Sequence, residues 1–233
     1  MKVIYTAKAG KRPGYEAKSF RPISLSSFCL KSMERVVDRH ITDNVLKYNP
    51  LHYNQFAYRE SKSTEAALKK LVNTIKKNHR HYVLGAFIDI AGAFDNTSHE
   101  SIKRALGRKG VDSKTCGWIS AMLRERQAVL TVGSSTKKFD VTTGCPQGGV
   151  LSPLLWSLVI DELIVKLSST GFYIQVYADD VAILVNALCL TILRELLERA
   201  LRMVTYWCKK NKLSISQLKL GHASETETRV SRK

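Results

Sequence analysis

The sequence predicts an α+β domain built around an antiparallel sheet, and three observations lead to it. Residues 172–185 place two short apolar runs either side of an adjacent aspartate pair, Asp179 and Asp180, as in a hairpin. With Ala178 and Asp179 as a two-residue turn, Ile174 and Val176 share a sheet face with Ile183 and Val181. Residues 83–90 form a second apolar run of strand length. Runs of helices and strands follow one another over short connections, which suggests an α+β domain around an antiparallel sheet.

In chain order, residues 1–19 are polar and basic and read as an arm or loop, and residues 20–26 read as an extended segment ending at a helix cap. Phe28, Met33, Val36, Val37, Ile41 and Val45 recur at helical spacing, so one amphipathic helix is expected over 28–46, stopped by Asn49-Pro50. A loop over 52–64 then leads to a helix over 65–77, with Ser63 or Thr64 as its cap. Helices follow at 98–106 and 114–124, and a hairpin joins 128–132 to 137–141. The tight loop Gly144-Cys145-Pro146-Gln147-Gly148-Gly149 precedes a buried helix over 151–167. A long helix over 190–212 carries Leu193, Leu197, Leu201, Val204 and Cys208 on its inner stripe, and residues 213–216 form a final strand. Residues 221–233 show no period and read as a disordered tail.

The composition is that of a globular chain with a polyanionic partner. Among 233 residues, 37 Lys+Arg stand against 20 Asp+Glu, a formal net charge of +17. The excess is concentrated in front: residues 1–83 hold 17 basic and 6 acidic side chains. The longest apolar runs, 150–160 and 181–193, are too short to span a bilayer, and no signal peptide is visible, so an intracellular protein without a membrane partner is expected. Five widely spaced cysteines without a Cys-x-x-Cys pair argue against a disulfide framework or structural zinc, and read as core residues or free thiols.

Asp179 and Asp180 carry the chemistry. Two carboxylates closed in by apolar strands concentrate negative charge that a divalent cation neutralises, although Asp is also a common turn residue and the pair alone leaves both readings open. Asp89 ends the 83–90 run, and Asp95 follows six residues later. Three or four carboxylates delivered by strands suit two hard cations that keep waters and bind phosphates.

Six ordered blocks then carry a resemblance. Phe-Arg-Pro-Ile-Ser-Leu (20–25), Gln-Phe-Ala-Tyr-Arg-Glu-Ser-Lys-Ser-Thr (55–64) and Phe-Ile-Asp-Ile-Ala-Gly-Ala-Phe-Asp (87–95) come first. Gly-Cys-Pro-Gln-Gly-Gly-Val-Leu-Ser-Pro (144–153), Tyr-Ala-Asp-Asp (177–180) and Trp-Cys-Lys-Lys-Asn-Lys-Leu-Ser-Ile-Ser (207–216) follow. Together they resemble the reverse transcriptases of non-LTR (LINE-type) retrotransposons, above all the jockey-like group. The resemblance covers about residues 20–219.

It implies the fingers and palm of a right-hand polymerase with a ferredoxin-like palm sheet. The expected divisions are an arm at 1–19, fingers over 20–83, palm over 84–220 with part of the fingers interleaved, and an atypical tail at 221–233. The implied activity is RNA-directed DNA synthesis with two Mg²⁺ (or Mn²⁺), an RNA template, a DNA primer or target and deoxynucleoside triphosphates. The implied place is a retroelement ribonucleoprotein of cytoplasm and nucleus. Asp89, Asp179 and Asp180 would hold the metals, Asp180 less directly. Phe94 matches the family's steric gate against a 2′ hydroxyl; read alone it is equally a core Phe. Gln147 and Gly148 match the loop lining the nucleotide pocket, and Arg59 and Lys62 match a fingers block contacting template or triphosphate. Lys219 stands where the family carries a lysine after its last palm strand, although Ser-Gln-Leu-Lys-Leu-Gly departs from the usual phrase. No helical thumb or endonuclease is expected in this chain, which points to a truncated copy, a frameshift or a misdrawn gene end. A non-catalytic RNA-binding remnant and an intron-encoded maturase are the rival readings.

Overall fold

A computed structural model describes residues 2–7, 20–77, 82–132 and 135–223. The chain separates into two compact units, each drawn from two segments: Met1–Pro50 with Phe94–Leu158, and Leu51–Ala93 with Val159–Lys233.

The first unit holds strands β1 (Lys2–Ala7), β2 (Phe20–Leu25), β4 (Gln127–Val132) and β5 (Ser135–Asp140), ordered β2-β1-β4-β5. Lys2–Ala7 is thus a strand where an arm was expected; its Val-Ile-Tyr-Thr run suits a pleated surface. β1 pairs antiparallel with β2 but parallel with β4, so this sheet is mixed, because no hairpin dictates the direction of strands so far apart in sequence. The β4–β5 hairpin forms as expected, with Gly133 and Ser134 of its turn outside the described residues.

Helix α1 (Phe28–His40) is capped by Ser27, whose Oγ accepts from Leu30 N–H, and continues as a π-helical turn, Ile41–Val45. Its inward stripe differs from the one expected. Glu34 and Ile41 are fully buried, whereas Phe28, Met33 and Val36 are exposed. A carboxylate takes the inner position because it meets the backbone donors of Val150 and Leu151 there. Helices α4 (His99–Lys109) and α5 (Ser113–Arg124) are capped by Ser98 and Asp112. They bury Ile102, Ala105, Leu106, Ile119 and Leu123, with Leu151, Leu155 and Trp156 also in the core of this unit.

The second unit is built on an antiparallel sheet of β3 (Tyr82–Ala91), β6 (Tyr173–Tyr177), β7 (Asp180–Ala187) and β8 (Ser214–Ala223), ordered β6-β7-β3-β8. With α6 (Ser152–Ser169) before β6 and α7 (Leu190–Lys210) between β7 and β8, the order is the β-α-β-β-α-β connectivity of ferredoxin-like sheets. The hairpin register is the one the alternation predicts: Ile174 faces Ile183, Val176 faces Val181, and all four are buried. α7 packs on this sheet through Leu193, Leu197, Ala200, Val204, Trp207 and Cys208. Leu201, assigned to that stripe from sequence, is half-buried, one position round from Ala200. β8 is longer than the expected four-residue strand and takes in Gly221–Ala223; residues 224–233 of the expected tail lie outside the described residues. Helix α2 (Thr64–Lys77) is capped by Ser63, whose Oγ accepts from Ala66 N–H at 3.0 Å. The α3 turn (Ala93–Asn96) follows β3 directly.

Candidate active site

The second unit brings the three predicted carboxylates to one end of its sheet. Asp89 on β3 lies in register with Asp180 on β7. Asp179 occupies the hairpin turn, where its carbonyl accepts from Ile90 N–H at 3.2 Å, so the turn is tied to the neighbouring strand. Ala178 before it has φ 55°, a left-handed conformation that costs a non-glycine residue energy and is commonly retained at functional sites. The carboxylates feel one another: Asp180 is raised above the ordinary carboxylate range by desolvation, then by Asp179 and Asp89.

A β-bulge adds a partner that sequence reading missed. Asp89 pairs with Gln217 and Ile90 with Ile215, leaving Ser216 as the extra residue of β8. The Ser216 hydroxyl donates to the Asp89 carboxylate. Its only sequence signal is its place in the terminal Leu-Ser-Ile-Ser strand. Asp89, Asp180, Gln217 and Lys219 also line a cavity of about 350 Å³ whose apolar walls include Phe87 and Leu68, so Lys219 shares the carboxylates' cavity. Among the described residues, no group of three or more His, Cys, Asp or Glu side chains is placed to hold a metal ion by itself. An oxygen-only donor set of two or three separated carboxylates fits Mg²⁺, which keeps several waters and takes its other ligands from phosphates.

The loop before α2 is laid along the outer edge of β6. Phe56 N–H donates to Val176 O, Val176 N–H to Asn54 O, and Asn54 Nδ2 to Ile174 O. Thr64 Oγ1 donates to the Tyr177 hydroxyl at 2.8 Å, anchoring the start of α2 beside the turn. Tyr58 comes close enough for Asp179 to act on it: its phenol is raised by desolvation, then by Asp179 and Tyr177. The two basic residues of this loop are engaged with the loop itself. Arg59 Nη1 donates to the carbonyls of His52 and Gln55, and Lys62 Nζ donates to Tyr53 O. Left-handed φ at Tyr58 and Ser61 turns the chain back so that Lys62 returns over the Phe56 ring, 4.7 Å from its centroid.

The first unit holds the other predicted residues around the loop from Thr143 to Leu151. Phe94 is half-buried, its ring centroid 6.4 Å from that of Trp156. The Asp95 carboxylate accepts from Gln147 Nε2 at 2.6 Å, which fixes the Gln147 amide. Gly144 N–H donates to Thr97 O and Cys145 N–H to Phe94 O. At Gly144, with φ +75°, a Cβ would fall 2.6 Å from the Phe94 carbonyl oxygen, so only glycine fits. Gly148, with φ +94°, is exposed at the loop tip, and Ser24 N–H donates to Gln147 O beside it.

Two charged side chains that sequence reading passed over hold this loop. Arg126, almost wholly buried, donates through Nη2 to the carbonyls of Thr143 (2.9 Å) and Gly144 (2.5 Å). Glu34 Oε2 accepts from Val150 N–H at 2.5 Å and Leu151 N–H at 3.1 Å, the donors that open α6. A buried carboxylate is favoured there by charge-assisted bonds and by the positive end of the helix dipole. His99, whose Nε2 lies 3.1 Å from Arg126 Nη2, is lowered by desolvation and by that guanidinium, so the neutral ring accepts from it.

Comparison with known proteins decides the family. The family model described as reverse transcriptase (RNA-dependent DNA polymerase) matches residues 7–230. The chain belongs to the reverse transcriptase family. It is 32% identical, over 82% of its length, to the Pol polyprotein of the type-1 retrotransposable element R1 of Bradysia coprophila. It is 30% identical, over 79%, to the RNA-directed DNA polymerase of the mobile element jockey of Drosophila melanogaster. The chain spans about a fifth of these relatives, 19% and 21% respectively. Among solved structures, telomerase from Candida tropicalis, in complex with a fragment of telomeric RNA, matches 95% of this chain and 41% of its own, with TM-score 0.68 at 11% identity. That likeness shows a reverse transcriptase and telomerase type of fold, mixed helix and antiparallel sheet.

Proposed function

We propose that this chain is the fingers and palm core of a retrotransposon's RNA-directed DNA polymerase. It would add deoxynucleotides to a primer 3′ end on an RNA template, within a ribonucleoprotein that works in cytoplasm and nucleus. The observation that carries this reading is the register pairing of Asp89 with Asp180 and the tied turn at Asp179, in a chain whose family polymerises DNA on RNA. The palm is assigned to the β6-β7-β3-β8 sheet.

Two divalent cations, when bound, would activate the primer hydroxyl and stabilise the leaving pyrophosphate. Asp89, Asp179 and Asp180 would hold them, with the Ser216 hydroxyl orienting Asp89. Lys219 supplies a cation to the same cavity, suited to a polyphosphate chain. Phe94 would exclude a 2′ hydroxyl from the incoming sugar. Gln147, its amide fixed by Asp95, would line the nucleotide pocket together with Gly148, where the missing side chain lets substrate approach the backbone.

The test is extension of a DNA primer annealed to RNA, with Mg²⁺, for wild type and Asp179→Asn. Metal-held charge stabilisation is worth several kcal/mol, so the variant should lose about a thousandfold in rate. Equal extension by both proteins would remove Asp179 from the metal site. RNA binding without extension by the wild type would favour a non-catalytic remnant.

A further inference from the structure

Helix α1 shows its apolar side to solvent. The inner positions go to Glu34 and Ile41, while Phe28 is 84% exposed and Met33 and Val36 are exposed with it. Cys29, Met33 and Val36 stand at i, i+4 and i+7 and so share one outer stripe, and the Cys29 thiol is free and exposed. Arg35 lies seven positions after Phe28 and Arg39 three after Val36, so two exposed cations border the apolar side chains. Neither forms an ion pair with a described residue; Asp38, raised by desolvation, feels Arg39 without pairing with it.

The corner between β7 and α7 presents a second exposed apolar group, bordered by charge of the opposite sign. Leu188 is 74% exposed, and Leu190 and Ile192 are exposed beside it, with the free thiol of Cys189 between the leucines. That thiol is lowered by the N–H groups of Ile192 and Thr191 and raised in part by Glu195, so Glu195 stands beside the patch. Glu195 is in no ion pair with a described residue, whereas Glu198 further along α7 is held by Arg194 and Arg202.

We infer that these two faces meet in a reciprocal dimer of this chain. The α1 stripe of one copy packs on the 188–192 corner of a second copy, with Arg35 and Arg39 against Glu195, and a twofold axis repeats the contact. Exposed apolar groups with polar borders are the mark of an interaction surface. Self-pairing of α1 would line the seam with Arg35 and Arg39 from both copies, and self-pairing of the corner would oppose two Glu195 carboxylates. Crossing the two faces joins apolar surface to apolar surface and sets opposite charges at its rim. A helix stripe on one corner is a small contact, and twofold symmetry doubles it by covering both faces of both copies. An anionic membrane would accept α1 with its arginines but would repel the corner with its carboxylate. The inference concerns assembly and stands apart from the polymerase reading.

The test is sedimentation velocity of the nuclease-treated chain over a concentration series, with bismaleimide crosslinking of a mixture of isotope-labelled and unlabelled chains. Wild type should pass from monomer to dimer in the micromolar range that suits a modest interface. Peptide mass spectrometry should find Cys29 of one copy linked to Cys189 of the other. Met33→Lys with Val36→Lys should weaken the dimer about a hundredfold. Arg35→Glu with Arg39→Glu should weaken it about tenfold, and adding Glu195→Arg to the same chain should restore it, a rescue that a damaged fold would not show. Far-UV circular dichroism identifies any unfolded variant, and Glu195→Lys alone then carries the charge test. Asp179→Asn should dimerise as wild type does, and absence of primer extension by the wild type leaves the assembly result standing. A monomer at every concentration, growth beyond two copies, Cys29–Cys29 links alone, failure of the charge rescue, or binding to phosphatidylserine vesicles in place of dimerisation overturns the inference.

Discussion

The loop from Thr143 to Leu151 and the turn from Tyr177 to Asp180 are both short connections bearing predicted functional residues, yet they are held in opposite ways. In the loop, partners meet the groups: Arg126 takes two carbonyls, Glu34 two N–H groups, Asp95 the Gln147 amide, and Ser152 Oγ the Pro146 carbonyl. In the turn the backbone is tied through Ile90 and the strand ladder, while desolvation, and after it the charges of Asp179 and Asp89, raise Asp180. The first region is a finished cradle that needs no ligand to keep its shape. The second holds its backbone and gathers negative charge at the end of the sheet. A change in the loop should therefore register first as stability, and a change in the turn first as activity.

Asp179→Asn gives the largest effect, an expected loss of about a thousandfold in primer extension, and should leave the melting temperature within a few degrees of wild type. Glu34→Ala comes next and tests the cradle. It strands two N–H donors and opens a hole at a fully buried position, at a cost of about 3 kcal/mol. Thermal unfolding should show a melting temperature lower by about 5–10 °C; no shift would mean that Glu34 does not hold the loop.

Phe94→Ala sharpens the division further, since Phe94 sits on the cradle yet is assigned a role in sugar choice. Ribonucleotide incorporation should rise about tenfold or more, as expected when a steric block of a few kcal/mol is removed. Unchanged discrimination would make the ring packing alone. The smallest effect concerns acid. His99 is lowered in the folded protein, so the unfolded chain binds its proton more readily, and stability falls as pH drops from about the ordinary histidine value of 6.5 towards the folded value. His99→Gln should therefore lose less melting temperature than wild type between pH 7 and pH 5. Parallel curves would separate His99 from the Arg126 clamp.

Much of the second unit was legible because its determinants are local. The period-2 alternation of Ile174, Val176, Val181 and Ile183 set both the register and the position of the Asp pair. Cap chemistry placed Ser63, and the 3.6-residue period placed most of α7. The same local reading misjudges α1, where a polar residue on the inner stripe looks like a defect in the pattern and the apolar period runs instead through the exposed Met33 and Val36.

The sequence by itself determined the ordered family blocks, the turn that presents Asp179 and Asp180, and the positive charge, since each is written in neighbouring residues. Tertiary structure alone decided that Ser216 would reach Asp89 across 127 positions and that Glu34 would close on α6 from 116 positions away. It also decided that Lys62 would turn back to Tyr53. The reason is physical: local periodicity records which face of an element is apolar, but a polar side chain is buried only where a donor or acceptor from a distant segment satisfies it, and that partner is fixed by the fold.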